Sequence, residues 1–148
     1  MTMPADADPH RLERFVAAQA PVWATVLEEL RQGCKRSHWM WFVFPQLRGL
    51  GHSPMAQQFG IASIAEARAY LSHPLLGPRL SGCIELLLAA EPGRSARQIL
   101  GAPDDLKLHS CMTLFAQAAP EHQEFQRGLH RFFAGTPDAA TLRMLGLA

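Results

Sequence analysis

Apolar residues recur along most of the chain at the three- and four-residue spacing of an amphipathic α-helix. The segment after Pro21 has such a stripe and ends at Gly33, a residue suited to the left-handed conformation that closes many helices. Alternating strand patterns and the Asn-Gly or Asp-Gly dipeptides of tight hairpins are absent from the sequence. The pattern predicts an all-α protein.

Start and stop signals divide this pattern into short helices. Capping-box sequences at Ser63 and Ser95 each open a helix, and a proline in the first helical position follows Asp8, Ser53 and Thr136. Leucines and an isoleucine at helical spacing, Leu80, Ile84, Leu87 and Leu88, predict that residues 75–91 form a central buried helix. We expect one compact domain, residues 1–148, with about seven to nine short helices around one core and residues 1–7 as a flexible tail.

One stretch departs from the helical pattern, and we call residues 35–46, KRSHWMWFVFPQ, the aromatic segment. Its apolar residues would cover both faces of a strand, and such a strand needs partners on both sides. No other segment supplies them convincingly. We therefore interpret it as an extended or partly helical segment that crosses the core and ends at Pro45, with a small two-stranded element as the alternative.

The charge balance limits the classes of partner. The formal net charge is +1, so no global field would gather nucleic acid. Only Arg31, Lys35 and Arg36 could form a local basic patch. Nucleic acid is therefore disfavoured as a partner, and the oligomeric state stays open.

Cysteine usage and hydropathy bear on the compartment. The three cysteines are odd in number, lie far apart and show no paired metal spacing. No stretch approaches the roughly 20 apolar residues of a membrane span, and the N-terminus is acidic where a signal peptide would be basic. We expect a reduced, cytoplasmic protein with no membrane association.

The polar edge of the aromatic segment is the first candidate site. His38 could transfer a proton near neutral pH, and its neighbours could hold an anion or stack on a ring. The candidate ligand-binding residues here are Lys35, Arg36, Ser37, Trp39 and Gln46. The alternative is structural: the aromatic residues form core, and Gln46 caps a turn.

The helix predicted after Pro103 is the second candidate. It carries Asp104, Asp105, Lys107 and His109 as acid-base candidates and Ser110 as a ligand-binding candidate. Carboxylate, imidazole and hydroxyl recur at four-residue spacing along one face from Asp105. The alternative is a solvated helix face whose acidic start compensates the helix dipole.

Common catalytic and cofactor motifs are missing. The sequence has no HExxH, CxxC, Walker loop, GxGxxG or GxSxG motif. We therefore predict no metal site and no cofactor.

Several stretches together resemble a bacterial family known as domain of unknown function 1810, sometimes mislabelled calpastatin. They are the aromatic segment, HPLLGPRL at residues 73–80, DDLK at 104–107, and residues 12–15, 49–51 and 110–115. The resemblance covers nearly the whole chain and implies a compact, mostly helical domain with no established activity. A fainter similarity to the YbiA-like family, linked to ADP-ribose derivatives, has no matching residue signature and only favours a nucleotide-like ligand.

The leading functional hypothesis is a small cytoplasmic enzyme or ligand-binding domain for a phosphorylated or nucleotide-derived, ADP-ribose-like molecule. Lys35 and Arg36 would hold the anion and Trp39 would stack on its ring. His38, with the aspartates and Lys107, would supply acid-base groups for hydrolysis of a glycosidic or phosphoester bond. The alternatives are a non-catalytic protein-interaction domain and weak binding of single-stranded nucleic acid.

Overall fold

The computed structural model describes residues 7–147, and within them the chain is all-α, as predicted. The expected tail at residues 1–7 lies outside the described residues except for residue 7. Ten α-helices follow one another, with a short 3-10 turn, Ala20–Val22, after the first. They are α1 Glu13–Gln19, α2 Trp23–Gln32, α3 Met40–Val43, α4 Pro54–Phe59, α5 Ile64–Ser72, α6 Leu76–Leu88, α7 Ala96–Leu100, α8 Asp104–Ala118, α9 Gln123–Phe133 and α10 Ala139–Met144.

Local signals account for several of these boundaries. Gly33 ends α2 in the left-handed conformation at φ 68°, and the capping box at Ser95 opens α7. The first and last helices begin differently from the prediction. The carboxylate of Asp8 accepts hydrogen bonds from the backbone of Leu12 and Glu13, so α1 begins four residues later than expected. Asp138, rather than Thr136, caps α10.

Apart from the single turn within the aromatic segment, the described residues form nine α-helices, which agrees with the expected seven to nine. The middle of the aromatic segment forms the single turn α3, and Phe44 and Pro45 then leave the helix as buried residues. The two-stranded alternative is reduced to one isolated parallel bridge within the described residues, between Leu47 and Ile61. Helix α3 packs against α1 and α4, and three of its residues, Met40, Phe42 and Val43, are buried.

Helix α8 lies at the centre of the core and packs against α5, α7, α9 and α10. Its apolar stripe, Leu108, Cys111, Met112 and Phe115, is fully buried. The N-terminal turn of α8 emerges from the core beside the aromatic segment, which brings the two candidate segments together. Among the described residues no helix is both long and apolar enough to cross a membrane.

Candidate ligand-binding cleft

A buried carboxylate organises the start of the aromatic segment. Glu29, on the last turn of α2, is 3% exposed. Its two oxygens accept hydrogen bonds from the backbone amides of Arg36 and Ser37 at 2.8 and 3.0 Å and from the Ser37 hydroxyl at 2.6 Å. The indole N–H of Trp39 donates a fourth, at 3.0 Å. One side chain of α2 thus fixes the backbone of residues 36–39.

These contacts keep Glu29 ionised. Burial by itself raises the pKa of a carboxyl group, but the hydrogen bonds, led by that from Ser37, stabilise the charged form and lower the pKa of Glu29 to about 2. A carboxylate near the C-terminal end of a helix opposes the helix dipole, so its position there is explained by the four donors it satisfies.

Two lysines meet one aspartate where the candidate segments join. The ammonium group of Lys35 lies 2.8 Å from a carboxylate oxygen of Asp104, and that of Lys107 lies 3.4 Å from the other oxygen. Lys35 also donates a hydrogen bond to the backbone carbonyl of Ser37. The Lys35 side chain is only 6% exposed, so this ion pair holds the aromatic segment against the start of α8.

A cleft of about 380 Å³ opens beside this cluster. Both candidate segments line it, together with the end of α7. Its polar and charged lining residues are Lys35, Arg36, Ser37, His38, Asp104 and Lys107, and its apolar lining includes Trp41, Leu100 and Pro103. The cleft falls within the size range of small-molecule sites, roughly 300–1,000 Å³.

The two tryptophans of the aromatic segment have opposite roles. Trp39, expected to stack on a ligand, is fully buried and its indole N–H is bound to Glu29, so it cannot serve as a stacking surface. Trp41 is only partly buried and lies in the cleft wall. The ammonium of Lys107 lies 4.6 Å from the centroid of the Trp41 ring.

Two predicted acid-base residues lie outside the cleft. Asp105 is not among the lining residues, and one of its carboxylate oxygens is buried without a hydrogen-bond partner in the described part of the chain. The His109 ring stacks on Phe133 at 4.1 Å, and its Nε2 lies 2.7 Å from the carbonyl oxygen of Thr136. Asp104 and Lys107 face the cleft, whereas Asp105 and His109 occupy another side of α8, because successive helical residues turn by about 100°.

Gln46 and Ser110 line a second depression, of about 310 Å³, which borders the cleft at Pro103 and Lys107. The Ser110 hydroxyl donates to the backbone carbonyl of Leu106 and lies 3.4 Å from a carboxylate oxygen of Asp138. These two residues are therefore neighbours of the cleft rather than part of its wall.

Sequence reasoning missed Glu29 and did not identify Trp41, which packs against the core, as part of the cleft wall. A signal for Glu29 was present, since an acidic residue lies on the apolar stripe with Val26 and Leu30, three residues before it and one after. No comparable signal distinguished the two tryptophans. Within residues 7–147, no three His, Cys, Asp or Glu side chains come together as a possible metal site.

The fold and the cleft define a small all-α domain with a cationic, partly aromatic cleft. The chain belongs to the family described as "Protein of unknown function (DUF1810)", which matches residues 9–145 and confirms the resemblance found in the sequence. It is also similar to the crystal structure of the conserved hypothetical protein Rv1873 from Mycobacterium tuberculosis. That chain is 55% identical, with 95% of this chain and 100% of that chain covered and a TM-score of 0.92. A comparison with curated proteins found no match.

Proposed function

We propose that this protein is a cytoplasmic ligand-binding domain whose cleft takes a small anionic molecule bearing a flat ring, of the phosphorylated or nucleotide-derived class. One observation carries the proposal: the aromatic segment and the start of α8 line a single concave cleft that contains three cationic side chains, one carboxylate and a partly exposed tryptophan.

The charge of the cleft favours an anion. Asp104 neutralises much of the charge of Lys35 through a short ion pair, whereas Lys107 is farther from the same carboxylate and more exposed. The guanidinium group of Arg36 is exposed, and within residues 7–147 it donates a hydrogen bond only to the side chain of Gln32. Arg36 and Lys107 are therefore the cations available to a ligand, and a guanidinium suits the paired oxygens of a phosphate.

The ring would lie on Trp41. The Trp41 indole packs partly against the core and lines the cleft, so it is already ordered and offers a flat apolar surface. The ammonium of Lys107 lies over this ring, 4.6 Å from its centroid, and places positive charge at that surface. Adjacent side chains would thus recognise the ring and the anionic group of one ligand, such as a phosphorylated nucleoside.

The lining of the cleft also bears on the two alternative functions, a protein-interaction domain and a binder of single-stranded nucleic acid. A pure interaction domain would have His38, Lys107 and the aspartates on separate surfaces, but His38, Asp104 and Lys107 share the cleft wall. Binding of single-stranded nucleic acid through basic residues and a tryptophan of the aromatic segment would have to use Trp41, because Trp39 is buried.

Binding is better supported than hydrolysis. Asp104 is held between two ammonium groups, and Asp105 and His109 lie outside the cleft. His38, exposed at the rim, is the remaining candidate for proton transfer.

Calorimetric titration with nucleotides, ADP-ribose derivatives and sugar phosphates tests the proposal. We expect at least one of these anions to bind the wild-type protein and Arg36→Ala to weaken that binding about tenfold, the effect of one charge-assisted hydrogen bond. Arg97→Ala is the matched control, because Arg97 is exposed on α7 and does not line the cleft.

Two results would contradict the proposal. One is that no anion of the panel binds the wild-type protein. The other is that Arg36→Ala and Arg97→Ala have the same effect. Tighter binding of a single-stranded oligonucleotide than of any small anion would favour the nucleic-acid alternative instead.

A further inference from the structure

The second depression adjoins the cleft and differs from it in character. Lys107 and Pro103 form the boundary between the cleft and the second depression. Lys107 also borders a small void that Trp41 and Gln46 line. The cleft, the second depression and the small void therefore all border Lys107. A ligand that reaches Lys107 from the cleft would have the second depression directly beyond it.

The polar side chains that line the second depression are Gln46, Lys107, Ser110 and Asp138. The main chain of Gln46 is fixed, since its carbonyl accepts a hydrogen bond from the amide of Ile61 at 2.9 Å. Its side-chain amide makes no hydrogen bond within residues 7–147 and is not buried, so it is free to donate and accept. Asp138 caps α10 with one carboxylate oxygen, and the other accepts no hydrogen bond from the described residues.

The remaining lining is apolar and open to solvent. Leu106 is 62% exposed on the side of α8 that borders this depression, an unusual place for a large apolar side chain on a surface helix. Leu50, Pro103 and Ala140 line the rest of it. An apolar surface beside an amide and a carboxylate oxygen matches a sugar ring, which has C–H faces and hydroxyl edges.

We propose that the second depression is a sugar subsite of the same ligand. Gln46 and the free oxygen of Asp138 bind its hydroxyl groups, and the ring covers Leu106. Lys107 lies between the two parts and meets the anionic group that joins them. This inference rests on the proposed function, and it narrows the ligand class to a sugar attached through phosphate to the ring that lies on Trp41.

Calorimetric titration with ADP and with ADP-glucose tests the subsite, because the two probes differ by the added sugar. We expect ADP-glucose to bind the wild-type protein about tenfold more tightly than ADP, as two net hydrogen bonds would give. Gln46→Ala should remove most of this gain and leave the affinity for ADP unchanged. Gln126→Ala, at an exposed position on α9, is the control and should change neither affinity.

The outcomes separate this inference from the proposed function. If ADP binds but the sugar adds no affinity, or if Gln46→Ala weakens the binding of both probes equally, the sugar subsite is refuted. The proposal that the cleft binds an anion is then unaffected. If neither probe binds and the wider panel also fails, the proposed function is wrong and the subsite with it.

Discussion

Glu29→Gln should loosen the turn at residues 36–39 without leaving an empty space. The substitution keeps the shape of the side chain but removes the charge that four donors surround. The pKa of Glu29 is about 2, against an ordinary value of 4.5. Each pKa unit corresponds to about 1.4 kcal/mol, so the native environment favours the ionised form by about 3 kcal/mol.

The sign of the pH dependence follows from this lowered pKa. Above about pH 4.5 the carboxyl is ionised in both the folded and the unfolded chain, and the full stabilisation is present. As the pH falls below 4.5 the unfolded chain takes up the proton first, so the stabilisation decreases and is lost near the folded pKa. At pH 3 about 1 kcal/mol should remain.

Urea unfolding of the wild-type and Glu29→Gln proteins at pH 7 and pH 3 measures these differences. We expect the variant to be less stable by about 3 kcal/mol at pH 7 and by about 1 kcal/mol at pH 3. Glu28→Gln is the matched control, because Glu28 is the adjacent residue, is exposed and bonds only Gln32. Equal, pH-independent losses in the two variants would refute the assignment of Glu29 as the organiser of the turn.

Two further stability predictions use the contacts of α8 and α6. Lys35→Met should lower the free energy of unfolding by about 2 kcal/mol, because it removes a nearly buried ammonium and leaves Asp104 paired with the more distant Lys107. Lys107→Met, at a more exposed pair, should cost less than about 1 kcal/mol. Urea unfolding measures the stability of both variants. Equal losses of stability would contradict the conclusion that the Lys35–Asp104 ion pair holds the aromatic segment against α8. Gly77→Ala should destabilise by about 3 kcal/mol or more, because a β-carbon there would overlap the carbonyl oxygen of Leu71. Thermal unfolding followed by circular dichroism checks this, and an unchanged melting temperature would contradict it.

Much of the fold could be predicted from the sequence because helix boundaries depend on local chemistry. Gly33 ends α2 and Ser95 opens α7 through interactions within a few residues of each end. Asp8 shows the limit of such signals. Its carboxylate accepts hydrogen bonds from the backbone of Leu12 and Glu13 at the start of α1, four and five residues further along, which the Asp-Pro pattern does not indicate. The aromatic segment was ambiguous because its residues are apolar on every face, so tertiary contacts decide its conformation.

The candidate site was only partly predictable, because burial and direction are set by other elements. Whether Trp39 or Trp41 faces a ligand depends on Glu29, which binds the indole of Trp39 from a different helix. Asp104 and Asp105 are adjacent aspartates at the start of one predicted helix, and the sequence does not distinguish them. The packing of α8 decides which of the two faces the cleft.

The three tryptophan indole N–H resonances give the most direct test of ligand binding in the cleft. In a titration of the nitrogen-15-labelled protein with the anion that binds best, the indole resonance of Trp41 should shift in a saturable manner. Trp23, which lies outside the cleft and contacts Arg79, and the buried Trp39 should change little. Saturable binding that leaves Trp41 unchanged, or that shifts all three resonances equally, would contradict a binding site in this cleft.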